Sequence, residues 1–290
     1  MTTVGVIGLG RTGLPVALNL VARNHTVIGF RRSGSKALVA AGGVAARDAR
    51  EVAERATTIF TVLPSVVALI DVIEKMVPAL DSRHVVVELG SHSIADKERA
   101  RVACAARGAA FLDGEISGTP AMTASRRAIV LVAGDRAVCE VALPLARDIT
   151  DHARYCGEFG AATQLKLIAN LLVGIHTVAA AEAMLLVERA GLDPELALDV
   201  LGLGASASTM LSARARAMLA RRFVDPVPGP VNMFAHYLAP IEALAREANA
   251  PTPLFDTAAK LYRTAMADGR SDEDIACVID MLDTWKGRDS

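Results

Sequence analysis

The sequence predicts an α/β N-terminal domain with a mainly parallel sheet, followed by an all-α C-terminal domain joined to it by a long helix. Three observations carry this. Short β-rich runs alternate with helical stretches up to about residue 160. From Thr163 to Gly191 the chain is apolar, with no turn signal beyond Gly174. After that, helical segments follow one another without a convincing strand. The boundary is drawn after residue 162, giving a sheet domain over 1–162 and a helical substrate and oligomerisation domain over 163–290.

Val4 to Ile7 reads as a buried parallel strand and Leu14 to Ala22 as a helix, with Pro15 in its first turn, where a missing N–H costs little. Between them stands Gly8-Leu9-Gly10-Arg11-Thr12-Gly13, a G-x-G-x-x-G turn. Glycine triplets arise by chance, but this one has a strand before it and a helix after it. His25 to Phe30 supplies the second strand and completes a β-α-β unit of Rossmann type. Such a turn offers backbone N–H groups at a helix N-terminus to a pyrophosphate, so Gly8, Leu9, Gly10, Arg11, Thr12 and Gly13 are candidate cofactor-binding residues.

An NAD site usually has an acidic residue at the end of the second strand, where it bonds the ribose hydroxyls. Phe30-Arg31-Arg32-Ser33 stands there instead. Two guanidinium groups attract a 2′-phosphate and bond it bidentately, so NADP(H) is the preferred cofactor and NAD(H) remains possible.

Thr57 to Leu63 reads as a strand ending at Pro64, and Val85 to Leu89 as one closing at Gly90-Ser91-His92-Ser93. Ala109 to Asp113 leads into Gly114-Glu115-Ile116-Ser117-Gly118, and Ala128 to Ala133 runs to Gly134. Ligands of a parallel sheet bind at the carboxyl ends of its strands. That brings Gly8–Gly13, Arg31, Arg32, Leu63, Pro64, Ser91 and Ser117–Thr119 towards one edge. Beyond the long helix, segments over 194–203, 208–221, 233–248, 254–267 and 272–284 read as helical, and 226–230 as a rigid proline-rich connector.

A formal net charge of −1 gives no electrostatic case for nucleic acid or an anionic membrane. No uncharged apolar run reaches the length of a bilayer span, and with the chain entering a strand at once no signal peptide is expected. The four cysteines are scattered without a C-x-x-C pair, so neither zinc nor a disulfide framework is indicated and a cytoplasmic setting is expected.

Lys166 and Asn170, four residues apart, share a face near the start of the long helix among Leu165, Leu167, Ile168, Leu171 and Leu172. By themselves they are more often solvated polar residues than catalysts. Four segments, however, resemble the β-hydroxyacid dehydrogenase family, which includes 3-hydroxyisobutyrate dehydrogenase and tartronate semialdehyde reductase. Gly8–Gly13 with Ala17, Asn19 and Leu20 is similar to G-x-G-x-M-G-x-x-M-A-x-N-L. Asp113–Pro120 is similar to D-A-P-V-S-G-G, and Gly160–Asn170 to G-x-G-x-x-x-K-x-x-N-N. Pro251-Thr252-Pro253 with Asp272–Ile279 looks like the family's ending, which is 6-phosphogluconate dehydrogenase-like.

The resemblance implies that Lys166 is the catalytic acid/base, worth about 10²–10⁴-fold in rate. It implies that Ser117, Gly118 and Thr119 hold a substrate carboxylate, that Asn170 orients substrate, and that Leu63-Pro64 and Ser91 lie beside the nicotinamide. The expected reaction is hydride transfer between NADP(H) and a small β-hydroxyacid or its semialdehyde. There are departures. Thr119 and Met122 stand where glycines are common, Ala162 and Ala169 replace a glycine and an asparagine, and His236-Tyr237 replaces a K-D pair. His236 remains a candidate hydrogen-bond donor to substrate. These departures keep an NADPH-dependent imine reductase as one alternative, opposed by Lys166, where that group typically has Asp or Tyr. A non-catalytic dinucleotide-binding protein is the other. The long apolar helical half leads us to expect a homodimer or homotetramer.

Overall fold

In the computed structural model, residues 1–225 and 227–285 are described. The chain forms two compact units, Met1–Lys166 and Leu167–Ser290. The division falls later than the expected boundary at 162, because Thr163 is hydrogen-bonded to Asp113 and Lys97 of the sheet unit.

The first unit runs β1 (Thr3–Ile7), α1 (Gly13–Ala22), β2 (Thr26–Phe30), α2 (Lys36–Ala40), β3 (Val44–Ala45), α3 (Ala49–Arg55), β4 (Thr58–Thr61) and α4 (Val66–Met76). It continues with β5 (Val85–Glu88), α5 (Ile94–Ala105), β6 (Ala110–Ser117), α6 (Pro120–Ala124), β7 (Ile129–Ala133), α7 (Arg136–Ile149) and β8 (His152–Tyr155). The sheet order is β3-β2-β1-β4-β5-β6-β7-β8. Apolar side chains cover both faces, as a parallel sheet requires. Val4, Val6, Phe60, Val85 and Val87 pack with Val16 and Leu20 of α1 and with α7. Ile7, Ile28, Ile59 and Val86 pack on the other face with Val52, Leu69 and Ala100 of α3, α4 and α5.

Three features differ from expectation. β6 does not stop at Asp113 but continues through Gly114 to Ser117, paired with β7. A Cβ on Gly114 would come within 2.8 Å of the Leu89 side chain, so this glycine permits close strand packing rather than marking a loop. β7 is antiparallel to β6, since the connection from Ser117 to Ile129 carries only the short α6 and is no crossover. The edge strands β3 and β8 were not anticipated; the first has only two residues and the second carries His152 and Arg154 on its exposed side.

α8 (Ala161–Arg189) begins in the first unit and continues into the second. By length and composition alone, a stretch of it with mean hydropathy 1.7 could cross a membrane, although charged Lys166 and Glu182 interrupt the uncharged run. Yet Val178, Ala181, Met184 and Val187 belong to the apolar core of the second unit. The further helices are α9 (Pro194–Leu203), α10 (Thr209–Leu219), α11 (Val231–Ala235), α12 (Leu238–Glu247), α13 (Pro253–Ala267) and α14 (Val278–Asp283). The expected helix over 233–248 is thus two, and 272–284 has a 3₁₀ turn, Ile275–Cys277, ahead of α14. Of the proline-rich connector, Pro226 lies outside the described residues; Pro230 makes an isolated bridge with Asp274. Gly174 sits mid-helix because a Cβ there would meet the Phe234 ring at 2.9 Å. Its carbonyl accepts a bond from buried Tyr262 at 3.1 Å.

Candidate active site

The turn after β1 is built by three glycines with different tasks. Gly8 has φ of 95°, and a Cβ on it would lie 2.2 Å from the Val62 carbonyl oxygen. A Cβ on Gly13 would lie 2.1 Å from the Gly8 carbonyl oxygen. Those two close the turn against β4 and against itself. A Cβ on Gly10 would meet nothing within 4 Å; it faces open space. α1 starts here with no side-chain cap on its N-terminus, whereas Asp48, Ser65, Ser93 and Asp135 cap α3, α4, α5 and α7. An uncapped helix start behind an open glycine turn suits a pyrophosphate.

Registers Ile7↔Phe30, Ile7↔Thr61, Thr61↔Glu88 and Glu88↔Asp113 align the ends of β1, β2, β4 and β5. The candidate residues that follow these strands therefore lie at one edge of the sheet. Arg31 and Arg32 follow β2, exposed and without an ion pair among the described residues. Leu63 is buried and Pro64 exposed after β4, and Ser91 follows β5. Ser117 ends β6 opposite Ile129, and Gly118 (φ 143°) would press a Cβ against Ala128. Thr119 is partly used by the fold, since its Oγ1 accepts the Met122 amide at the start of α6. Asn19 serves the fold too: its Nδ2 donates to the Thr123 and Ile149 carbonyls.

Because β6 outruns β5, Glu115 rises above Glu88 at this edge, and a buried polar cluster forms beneath Ser91. Lys97 of α5, fully buried, donates from Nζ to Asp113 Oδ1 (2.8 Å), the Gly114 carbonyl (2.8 Å), Glu115 Oε1 (3.1 Å) and Thr163 Oγ1 (3.1 Å). Ser91 Oγ donates to Glu115 Oε2 at 2.8 Å. Thr163 gives its backbone N–H to Asp113 Oδ2 (3.0 Å) and its hydroxyl to Oδ1 (2.7 Å). Buried Glu88 accepts the Gly90 amide and the Thr61 hydroxyl, with His92 Nε2 3.5 Å from Oε1. Burial drives the Lys97 ammonium towards losing its proton, but Glu115 and Asp113 outweigh it and hold it charged.

Thr163 pins the first turn of α8 to β6. Lys166, three residues on, leaves the same face of that helix, half-buried. Burial lowers its pKa below the ordinary lysine value, and the Glu115 carboxylate opposes that fall. Asn170 is buried one turn further along α8 in the second unit, with Nδ2 lacking a hydrogen-bond partner among the described residues. His236, also of the second unit, is exposed at the end of α11.

The pattern of the NAD binding domain of 6-phosphogluconate dehydrogenase matches residues 3–157. That of the NAD-binding domain of NADP-dependent 3-hydroxyisobutyrate dehydrogenase matches residues 160–282. The chain belongs to the β-hydroxyacid dehydrogenase family. Glyoxylate/succinic semialdehyde reductase 2, chloroplastic, of Arabidopsis thaliana is 28% identical to it over 99% of this chain and 81% of that protein. A probable 3-hydroxyisobutyrate dehydrogenase of Mycobacterium tuberculosis is 29% identical over 80% of this chain and 76% of that one. The structure of Mycobacterium tuberculosis 3-hydroxyisobutyrate dehydrogenase with L-serine superposes with a TM-score of 0.85 at 23% identity, covering 97% and 99% of the two chains. Among β-hydroxyacid dehydrogenases this chain is accordingly an NAD(P)-dependent hydroxyacid dehydrogenase.

The residues present fit the dinucleotide: open space at Gly10, an α1 without a side-chain cap, and two exposed arginines without an ion pair among the described residues lie along one sheet edge. The sequence reading passed over the Lys97, Glu88, Asp113 and Glu115 cluster. A signal for it existed: Glu115 is a second acid two residues after Asp113, at the place of proline in D-A-P-V-S-G-G.

Proposed function

We propose that the enzyme is an NADP(H)-linked reductase of a small semialdehyde or keto acid, or dehydrogenase of the corresponding β-hydroxyacid, with Lys166 as general acid/base. The observation that carries this reading is the anchoring of Lys166. Its helix turn is tied through Thr163 to Asp113, on the strand whose end carries Ser117. The bound nicotinamide supplies or receives the hydride. Lys166 Nζ gives its proton to the substrate carbonyl oxygen in reduction and takes the hydroxyl proton in oxidation. Its lowered pKa suits both directions, because an ordinary lysine parts with its proton reluctantly near neutrality.

Ser117, with the backbone N–H of Gly118 and Thr119, offers donors to a substrate carboxylate. Asn170 Nδ2, which has no hydrogen-bond partner among the described residues, is a donor for substrate in this reading, and His236 is a further one. Arg31 and Arg32 favour the 2′-phosphate of NADPH over the bare ribose of NADH. The working form is a homo-oligomer.

The test is consumption of NADPH, followed by its fluorescence, against a panel of semialdehydes, 2-keto acids and cyclic imines. A semialdehyde or keto acid should be reduced, and faster with NADPH than with NADH. Turnover of cyclic imines alone would overturn the proposal.

A further inference from the structure

The buried cluster carries more charge than a fold needs. Lys97 is flanked by two carboxylates, Asp113 and Glu115, at 2.8 and 3.1 Å. Asp113 is completed by Thr163, which gives it both a backbone and a hydroxyl donor. Lys97 is one ammonium among three buried carboxylates, Glu88, Asp113 and Glu115, so the cluster keeps an excess of negative charge. Burial pushes the Glu115 carboxyl above its ordinary value, and Lys97, the Ser91 hydroxyl and Lys166 oppose that rise; its second oxygen accepts from Ser91 at the sheet edge rather than from another cation in the core. Lys166 stands one helical turn beyond Thr163, which is bonded to Asp113, and Glu115 lies two residues after Asp113 on the same face of β6, so the lysine and the carboxylate act on each other's charge.

We propose that Glu115 is a positioning residue for catalysis: a carboxylate held between Lys97 and Ser91 that keeps the Lys166 ammonium protonated and fixes the Ser91 hydroxyl beside the cofactor edge. The groups around Glu115 are Lys97 from α5, Lys166 from α8, Asp113 on its own strand, and Glu88 with Ser91 and His92 from β5 and its following turn. Glu88 is engaged by Thr61 and Gly90, which leaves Glu115 as the carboxylate that answers Lys166. Proline at this place would abolish the arrangement. The pair of Lys97 below and Glu115 above is a device of this chain's own residues. It rests on the reading of Lys166 as general acid/base.

The experiment is the pH profile of kcat/KM for carbonyl reduction in Glu115→Gln. Reduction needs Lys166 protonated. Without the neighbouring negative charge the ammonium gives up its proton at lower pH. The alkaline limb should therefore move towards acid by about one pH unit, and the acid limb of alcohol oxidation should move the same way. Glu115→Asp, which keeps the charge, should restore the limb. A merely structural role would lower kcat/KM at every pH and leave the limbs in place. If Glu115→Gln does not fold, the triple variant Lys97→Met/Asp113→Asn/Glu115→Gln, which removes the cation with both carboxylates and so makes the same change in net charge, is read in the same way. An unmoved limb in whichever variant folds, or failure of both to fold, would make the pair structural and overturn the proposal. Retention of activity by Lys166→Ala would instead remove the reading beneath it.

Discussion

A single methyl group distinguishes the glycines of the first turn. At Gly8 it would collide with the Val62 carbonyl and at Gly13 with that of Gly8, while at Gly10 it would enter open space. Gly8→Ala should therefore destabilise the fold by about 2 kcal/mol or more in denaturant titration, since a strained φ adds to the clash. Gly10→Ala should stay within about 0.5 kcal/mol of wild type yet bind dinucleotide about tenfold more weakly. Equal stability loss in both variants would refute the division of labour. Arg31 and Arg32 are tested the same way. Their joint replacement by alanine should weaken NADPH about tenfold or more and leave NADH nearly unchanged, as charge-assisted bonds to a phosphate are worth about 1.5–3 kcal/mol. Equal losses for the two cofactors would mean that the arginines do not read the 2′-phosphate. These residues were legible because glycine and arginine act through backbone freedom and charge, which are intrinsic to residue type. Glu115 and Lys97 were not. Their meaning lies in a pairing across eighteen residues of sequence that no local pattern announces.

At the scale of elements, the register of β6 and the first turn of α8 decide where chemistry can happen. Thr163 joins them. Thr163→Val keeps the shape and the backbone N–H bond to Asp113 but removes the hydroxyl, which leaves Asp113 short of one donor and Lys97 short of one acceptor. It should cost about 1–3 kcal/mol of stability and lower kcat more than it raises KM for cofactor. Thermal unfolding and steady-state kinetics check this; a wild-type kcat would show that the anchor does not place Lys166. The alternation of β-rich and helical runs revealed most strands, because a parallel sheet buries whole apolar runs on both faces. β3 and β8 escaped for opposite reasons, one too short to show a pattern and the other carrying charges on its exposed side. The end of β6 escaped because Gly114 and Gly118 read as a loop, although the first serves close packing within the strand.

For the molecule as a whole, the two-part organisation was visible in the sequence because the periodicity changes once, at the start of α8. The exact division was not, since it depends on bonds from Thr163 to a strand far behind it. α9 buries none of its residues, and Leu196, Val200 and Leu203 are exposed by 64%, 61% and 83% at helical spacing. Such a face invites a second copy of the chain. Light scattering at micromolar concentration should report a dimer or larger assembly, and Leu196→Glu with Leu203→Glu should reduce its mass. A wild-type monomer would contradict this expectation.

The most direct measurement is the rate of carbonyl reduction by Lys166→Ala with NADPH binding confirmed by fluorescence. Cofactor should still bind, and the rate should fall by about 10²–10⁴-fold. A fall smaller than about tenfold with cofactor bound would show that another group delivers the proton.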